Sequence, residues 1–189
     1  MSSHHIVREK QEPALLVLGL DNFSDELLGQ LLEWSPTVIT TPQTAEKLNM
    51  NGIKIDWIIS GEANDDLQAD VKIMPAAGDS IIEDALEFLV ANSFPAVNVV
   101  TDEFNLADVI PFADKLDIVV FYNTQKIYPV RSGFSKWKPA DQYIELLIHP
   151  GQLNTNGLKA VSPDKYQTQA DGFFDLQFDE PFLFIAEEV

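Results

Sequence analysis

The segment VITTPQTAEKLNMNGIKIDWIIS, residues 38–60, has the pattern of a strand, a helix and a second strand. Its first residues are β-branched, as strands prefer. Thr41 can accept a hydrogen bond at the start of a helix, and Pro42 then occupies the first helical position, where its missing N–H has no partner to lose. Gly52 ends this helix, and residues 56–59 form the next strand. Such a unit is typical of a parallel α/β layer.

The same alternation extends through the first part of the chain. Apolar or β-branched runs predict strands at residues 14–20, 37–41, 56–59, 71–74, 97–100 and 118–122. Amphipathic segments predict helices that begin at Ser24, Thr41 and Ser80, and a short helix at residues 106–113. Residues 1–122 are therefore predicted to be an α/β domain with a parallel sheet and flanking helices.

The pattern changes after residue 122. Glycine, proline and asparagine separate short β-type runs at residues 126–130, 143–148, 173–178 and 182–185. A domain boundary is predicted at this point, followed by a β-rich domain over residues 123–189.

The charge balance restricts the possible partners. The chain has 30 acidic and 12 basic residues, a net charge of -18. Phosphate backbones and anionic lipid surfaces would be repelled, so neither nucleic acid nor a membrane is expected as a partner. Basic residues are concentrated only at Lys126, Arg131, Lys136 and Lys138. This group is either a small anion site or, in the interpretation we favour, four exposed bases on a solvated surface.

The sequence lacks the motifs of several other common functional sites and targeting signals. The chain has no cysteine, which excludes disulfides, thiolate nucleophiles and Cys-based metal sites. The N-terminal residues around His4 and His5 lack the long apolar region of a signal peptide, and a cytoplasmic location is expected. The sequence contains no Walker-type loop and no GxGxxG, and His149 has no partner identifiable from sequence.

Several short sequence motifs follow one another in a specific order along the chain. Residues 38–65, VITTPQTAEKLNMNGIKIDWIISGEAND, are followed by Glu83, Ala85 and Leu86 in a helix and by TNGLK at residues 155–159. Together they resemble the thiamin pyrophosphokinase family. The resemblance implies a nucleotide-binding α/β domain, a small all-β sandwich domain, and a homodimer that holds thiamin at the junction between subunits.

The resemblance fails at the phrases that carry the family's chemistry, the Mg²⁺-dependent transfer of pyrophosphate from ATP to thiamin, which gives thiamin diphosphate and AMP. TPQ at residues 41–43 replaces Asp-Gly, and SGEAN at residues 60–64 replaces Gly-Asp-x-Asp-Ser. The Thr-Asp pair falls on residues 80–81, the Gly-Gly-Arg-x-Asp-His phrase leaves only remnants at residues 105–108, and QTQA at residues 167–170 replaces Ser-x-Ser-Asn. A catalytically degenerate protein, retained for ligand or protein binding, is predicted.

Two alternatives stay open. The first is an active thiamine diphosphokinase whose Mg²⁺ site has moved to Glu62, Asp65 and Asp79, the candidate catalytic and metal-binding residues, with Asp66, Glu83 and Asp84 nearby. Mg²⁺ and ATP are the cofactors expected of such an enzyme, and none is expected otherwise. The second is a structural dimer or assembly partner that associates through apolar strands after Tyr122. For a thiamin-like or nucleotide-like ligand, the candidate binding residues are Thr41, Gln43, Ser60, Gly61, Asn64 and Ser80.

Overall fold

The computed structural model describes residues 12–61, 71–76, 78 and 80–189. The chain divides into two compact units, Met1–Ile118 and Val119–Val189. No helix of the described residues is long and apolar enough to cross a membrane.

Parallel strands form the sheet of the first unit. They are β1 (Ala14–Val17), β2 (Val38–Thr40), β3 (Trp57–Ser60), β4 (Lys72–Pro75) and β5 (Ala96–Thr101). Their order is β5-β1-β2-β3-β4, so β1 lies between β2 and β5 and pairs in parallel with both. All of β1 is buried, which explains why its sequence is a continuous aliphatic run rather than an alternating one.

The helices of this unit are α1 (Asp25–Leu32), α2 (Pro42–Met50) and α3 (Ile81–Ala91). The three predicted N-caps are confirmed: Ser24, Thr41 and Ser80 each accept a hydrogen bond from a backbone N–H of the first helical turn. The helix predicted at residues 106–113 is instead a pair of 3-10 turns, Leu106–Asp108 and Ile110–Phe112. Pro111 is the physical reason, because it has no N–H to continue a helix.

Antiparallel strands make up the second unit. They are β6 (Asp117–Tyr122), which begins just before this unit, β7 (Gln125–Val130), β8 (Phe134–Lys138), β9 (Tyr143–Leu146), β10 (Leu153–Asn156), β11 (Leu158–Ala160), β12 (Lys165–Thr168), β13 (Gly172–Phe178) and β14 (Leu183–Glu188). One sheet has the order β11-β12-β9-β14-β7-β6, and a second has the order β10-β13-β8. Buried side chains of both sheets share one apolar core, which includes Ile144, Phe174, Leu176 and Ile185.

The predicted fold class is confirmed in part, because the first unit has the predicted parallel sheet and the second unit is β-rich. Helices are few among the described residues, and most of the regular structure is β-strand. The sequence pattern predicts no strand at the positions of β8, β10, β11 and β12. These strands are short and carry many polar residues, because much of their surface is exposed.

Gly157, between β10 and β11, explains one of the phrases noted in the sequence. Its φ is +75°, and a Cβ added there would lie 2.6 Å from the carbonyl oxygen of Phe173 and 3.2 Å from the Cα of Phe174. Only glycine fits this turn, because any other residue would strain the backbone at this φ, and its Cβ would collide with the backbone of Phe173. The retained glycine is therefore a requirement of the fold.

We predict that Gly157→Ala lowers the free energy of unfolding by more than 1 kcal/mol, roughly the cost of a strained left-handed alanine. Gly29→Ala is the matched control, because Gly29 lies inside α1 with open space around it. The control variant should gain about 0.5–1 kcal/mol from helix propensity. Urea unfolding of both variants measures the difference, and equal stability of Gly157→Ala and wild type would contradict this account.

Candidate functional site

The candidate binding residues of the first unit lie where its parallel strands end. Thr41 and Gln43 follow β2, with Thr41 buried and Gln43 exposed. Ser60 is the last residue of β3, and Gly61 follows it. The carboxyl ends of parallel strands meet at one edge of a sheet, which is where α/β folds usually bind ligands. We call this the strand-end edge.

The remaining candidates divide into two groups. Ser80 is described and caps α3. Asn64 and the carboxylates Glu62, Asp65 and Asp79 lie outside the described residues. Their roles therefore stay predictions.

The hydroxyl groups at the strand-end edge are used for internal hydrogen bonds. Thr41 Oγ1 donates to Thr44 Oγ1 at 3.2 Å and accepts from the Thr44 N–H at 3.4 Å. Thr44 Oγ1 donates onward to the carbonyl oxygen of Leu18 at 3.1 Å, and Thr40 Oγ1 donates to that of Val17 at 2.7 Å. These threonines tie the end of β1 to β2 and α2.

Asp102, directly after β5, is a residue of this edge that sequence reasoning missed. Its carboxylate accepts from the backbone N–H groups of Asp21 at 3.0 Å and Asn22 at 3.2 Å. It also lies against Gly19, where a side chain would collide with it. Asp21 in turn forms an ion pair of 2.5 Å with Lys47, and this hydrogen bond raises the pKa of Lys47. The available signal was an aspartate that follows one buried strand and a glycine that follows another.

A second polar group joins the start of α3 to the segment after β5. Ser80 Oγ donates to Asp108 Oδ2 at 3.1 Å, and Asn105 Nδ2 donates to Asp108 Oδ1 at 3.0 Å. Asn105 Oδ1 also accepts from the Ala107 N–H. The structure thus brings Ser80 together with Asn105 and Asp108, two of the remnants noted in the sequence.

The described carboxylates do not provide an evident Mg²⁺ site. Among residues 12–61, 71–76, 78 and 80–189, no three His, Asp or Glu side chains are grouped as metal ligands. Asp102 and Asp108 accept hydrogen bonds as described above, and Asp84 accepts from the Gly78 N–H. These carboxylates thus serve the fold, and the candidate metal ligands Glu62, Asp65 and Asp79 lie outside the described residues.

Residues 167–170, which replace the thiamin-contacting phrase of the family that the sequence resembles, also have a structural use. Thr168 is buried, and its hydroxyl donates to the carbonyl oxygen of Pro139 at 2.7 Å. Thr168 Oγ1 also accepts from the Gln142 N–H at 2.8 Å. Thr168 therefore fastens the turn that precedes β9.

The basic group of the sequence is not the exposed patch that we expected. Lys126, Lys136 and Lys138 surround the buried carboxylate of Glu187, together with Tyr128, and we call these five residues the Glu187 cluster. Only Arg131 is exposed and apart from them. The expectation of four solvated bases is wrong because lysines 136 and 138 alternate with Ser135 and Trp137 along β8, and the period of two turns both lysines to the same face.

Glu187 is the centre of this cluster. Its carboxylate is 3% exposed and forms ion pairs with Lys136 through Oε1 and with Lys138 through Oε2, the latter at 2.6 Å. The Lys138 contact is an ion pair without hydrogen-bond geometry. Tyr128 Oη donates to Oε1 at 3.1 Å. Burial raises the pKa of Glu187, but the two lysines outweigh it and hold that pKa below its usual value.

The pKa values of Tyr128 and Lys126, two neighbours of Glu187, are shifted in opposite directions. Burial, followed by the charge of Glu187 and its hydrogen bond, raises the pKa of Tyr128. Burial, followed by the charge of Lys136, lowers the pKa of Lys126. Tyr128 is thus held as a neutral donor, and Lys126 carries its charge at a cost.

These observations define a class of fold. A parallel α/β unit, whose strands end at the kind of edge where such folds bind ligands, is followed in sequence by an antiparallel unit with two sheets and one core. No family model matches the sequence, and no curated protein matches it. Solved structures do match, and thiamin pyrophosphokinases are among them. The chain has the thiamin pyrophosphokinase fold.

Three of these structures illustrate the likeness. Thiamin pyrophosphokinase from Geobacillus thermodenitrificans is 13% identical, with a TM-score of 0.70 over 93% of this chain and 97% of that one. The Bacillus subtilis enzyme is 14% identical, with a TM-score of 0.63 over 94% and 99%. The yeast enzyme is 11% identical, with a TM-score of 0.66 over 96% and 87%.

We predict that Asp102→Ala destabilises the strand-end edge, because the N–H groups of Asp21 and Asn22 lose their acceptor. The free energy of unfolding should fall by roughly 1–2 kcal/mol. Hydrogen exchange at these two amides should accelerate. Asp114→Ala, at an exposed aspartate of the same unit, is the control and should change little. Unaltered exchange at both amides in Asp102→Ala would refute the assigned contact.

We predict that Glu187→Gln destabilises the second unit by about 3 kcal/mol, the low end for a broken buried ion pair, because the partly buried Lys136 and Lys138 lose their carboxylate. Glu188→Gln, at the exposed neighbour, is the matched control. The Glu187 pKa is lower in the folded than in the unfolded state, so its contribution is present above about pH 4.3 and is lost as the pH falls through the folded pKa. Denaturant unfolding from pH 3 to 7 should show a weaker acid dependence in Glu187→Gln, and equal curves would refute the assignment.

Proposed function

We propose that this protein keeps the thiamin pyrophosphokinase fold but does not transfer pyrophosphate, and that it serves to bind a small thiamin-like or nucleotide-like ligand or another protein. One observation carries the proposal. Thr41, Asp102 and Ser80 use their side chains for hydrogen bonds within the fold.

The chemistry of the transfer explains why this matters. Pyrophosphate transfer depends on Mg²⁺ to neutralise the phosphate oxygens, and Mg²⁺ is held by carboxylates in fixed positions. After β2 the chain offers Thr41, Pro42 and Gln43, none of which is a carboxylate. Asp102, which follows β5, does carry a carboxylate, but each of its two oxygens already accepts a hydrogen bond from a backbone N–H group. The described edge is thus suited to binding with neutral groups more than to holding a metal.

The second unit supports the same proposal. At residues 167–170, where the resemblance places thiamin contacts, Thr168 uses its hydroxyl for Pro139 and Gln142. Gln167 Nε2 donates to Asp141 Oδ1 at 3.4 Å. These side chains have local partners, which is consistent with loss of the ancestral ligand contacts.

One observation favours protein binding as a second candidate function. Trp137 is 53% exposed and Phe173 is 67% exposed, and the two residues face each other across β8 and β13. Adjacent exposed aromatic rings are typical of surfaces that bind partners. An assembly role, with a homodimer as its simplest form, is therefore the alternative to ligand binding.

The test combines turnover with binding. Purified protein incubated with ATP, Mg²⁺ and thiamin should form no thiamin diphosphate, while the Bacillus subtilis enzyme serves as positive control. Turnover that disappears in Glu62→Gln and persists in Glu87→Gln, at an exposed residue of α3, would overturn the proposal and favour the relocated Mg²⁺ site.

Calorimetry with thiamin and with AMP, without metal, tests the ligand arm of the proposal. Light scattering tests the assembly arm. A monomer that binds neither compound would count against both candidate functions.

A further inference from the structure

The Glu187 cluster lies at the charged end of an otherwise apolar face. Along β14, Leu183, Ile185 and Glu187 point to the same side, and their partners on β7 are Val130, Tyr128 and Lys126. The first members of each series belong to the apolar core of this unit, and the last members are charged. The polar end is therefore built by the register of the two strands.

Charge is unbalanced at this end. Lys126, Lys136 and Lys138 bring three positive charges, a quarter of the chain's 12 basic residues, against the single carboxylate of Glu187. The rest of the protein is strongly acidic, with 30 acidic residues in all. In a chain with so many carboxylates, a group of lysines with only one of them is an exception that calls for a physical cause.

Lys126 is the lysine of the cluster that forms no ion pair with Glu187, although the charge of Glu187 still favours its protonated form. The two oxygens of Glu187 pair with Lys136 and Lys138. None of the ion pairs among the described residues includes Lys126, whose Nζ lies 6.0 Å from the ring centre of Phe121 and 5.8 Å from that of Tyr128. Ring faces attract a cation more weakly than a carboxylate does. A further negative charge at this point would offset the cost of burying the ammonium group.

We infer that Lys126, Lys136 and Lys138 form a binding site for one small oxyanion of the phosphate type. Lysine ammonium groups bind phosphate as point charges, and the net charge of the cluster, two positive, equals that of a phosphate dianion with opposite sign. The side chain of Lys136 is 35% exposed, which gives the anion access, whereas that of Lys138 is 12% exposed. The pKa of Lys126, lowered first by burial and then by Lys136, is consistent with a missing counter-charge.

The Glu187 cluster and the strand-end edge consist of different residues in different units. All members of the Glu187 cluster belong to the second unit, and the strand-end edge belongs to the first. Phosphate binding at the cluster therefore does not depend on the proposed function, and the two fail in different experiments. The shared chemistry fits free inorganic phosphate and the phosphate group of a larger molecule equally.

Calorimetry tests the site. Wild type should bind one inorganic phosphate per chain at constant ionic strength, with chloride as the reference salt. Lys126→Gln should weaken this binding about tenfold, the effect of losing one charge contact. The control Lys54→Gln, which removes an 81% exposed lysine of the first unit, should bind as wild type does. Glycerol phosphate in a parallel titration distinguishes the sources: tighter binding of the ester assigns the site to a larger phosphorylated molecule, and weaker binding assigns it to free phosphate.

A measurement on the unmodified protein guards against a variant that fails to fold. Addition of phosphate to wild type with isotope-labelled lysines should shift the Nζ resonances of Lys126, Lys136 and Lys138 more than those of other lysines. The inference is overturned if wild type shows no binding and no such shifts, if Lys126→Gln binds with unchanged affinity, or if Lys54→Gln loses as much affinity as Lys126→Gln.

Discussion

The parallel pairing of β1 with both of its neighbours is the constraint on which the first unit depends. β1 is buried along its whole length, between β2 and β5. Its backbone groups can be satisfied only by these two strands, since water does not reach them. This pairing fixes where β1, β2 and β5 end, and therefore brings Gly19, Thr41 and Asp102 to one edge. The strand-end edge is a consequence of that pairing.

Each polar group of this edge can take part in only a limited number of hydrogen bonds. A carboxylate that accepts from two backbone N–H groups, as Asp102 does, has fewer lone pairs and less freedom for a metal ion. A threonine hydroxyl that caps a helix, as Thr41 does, contributes to stability in every molecule, with or without ligand. Stabilising the fold and binding a metal thus compete for the same atoms, and the described atoms have been committed to the fold.

The parts of the structure that sequence could predict are those set by neighbours along the chain. The caps at Ser24, Thr41 and Ser80 each involve a residue and the turn that follows it, so the pattern of the sequence was sufficient. Asp102 could not be found in this way, because its partners Asp21 and Asn22 lie 81 and 80 residues earlier. The carboxylates Glu62, Asp65 and Asp79 were predicted from their place after a strand or before a helix, and they stay predictions.

The basic residues show most directly why composition alone misleads. Lysine on an acidic protein is expected in solvent, because burial of an ammonium group is costly. On β8, however, Phe134 belongs to the inward series, and the period of two then carries Lys136 and Lys138 to the same side. The alternative register would turn Phe134 away from Phe174, although their ring centres lie 6.0 Å apart in the core. Strand register therefore decides that these lysines lie inside, and Glu187 on β14 is the residue that makes their position tolerable.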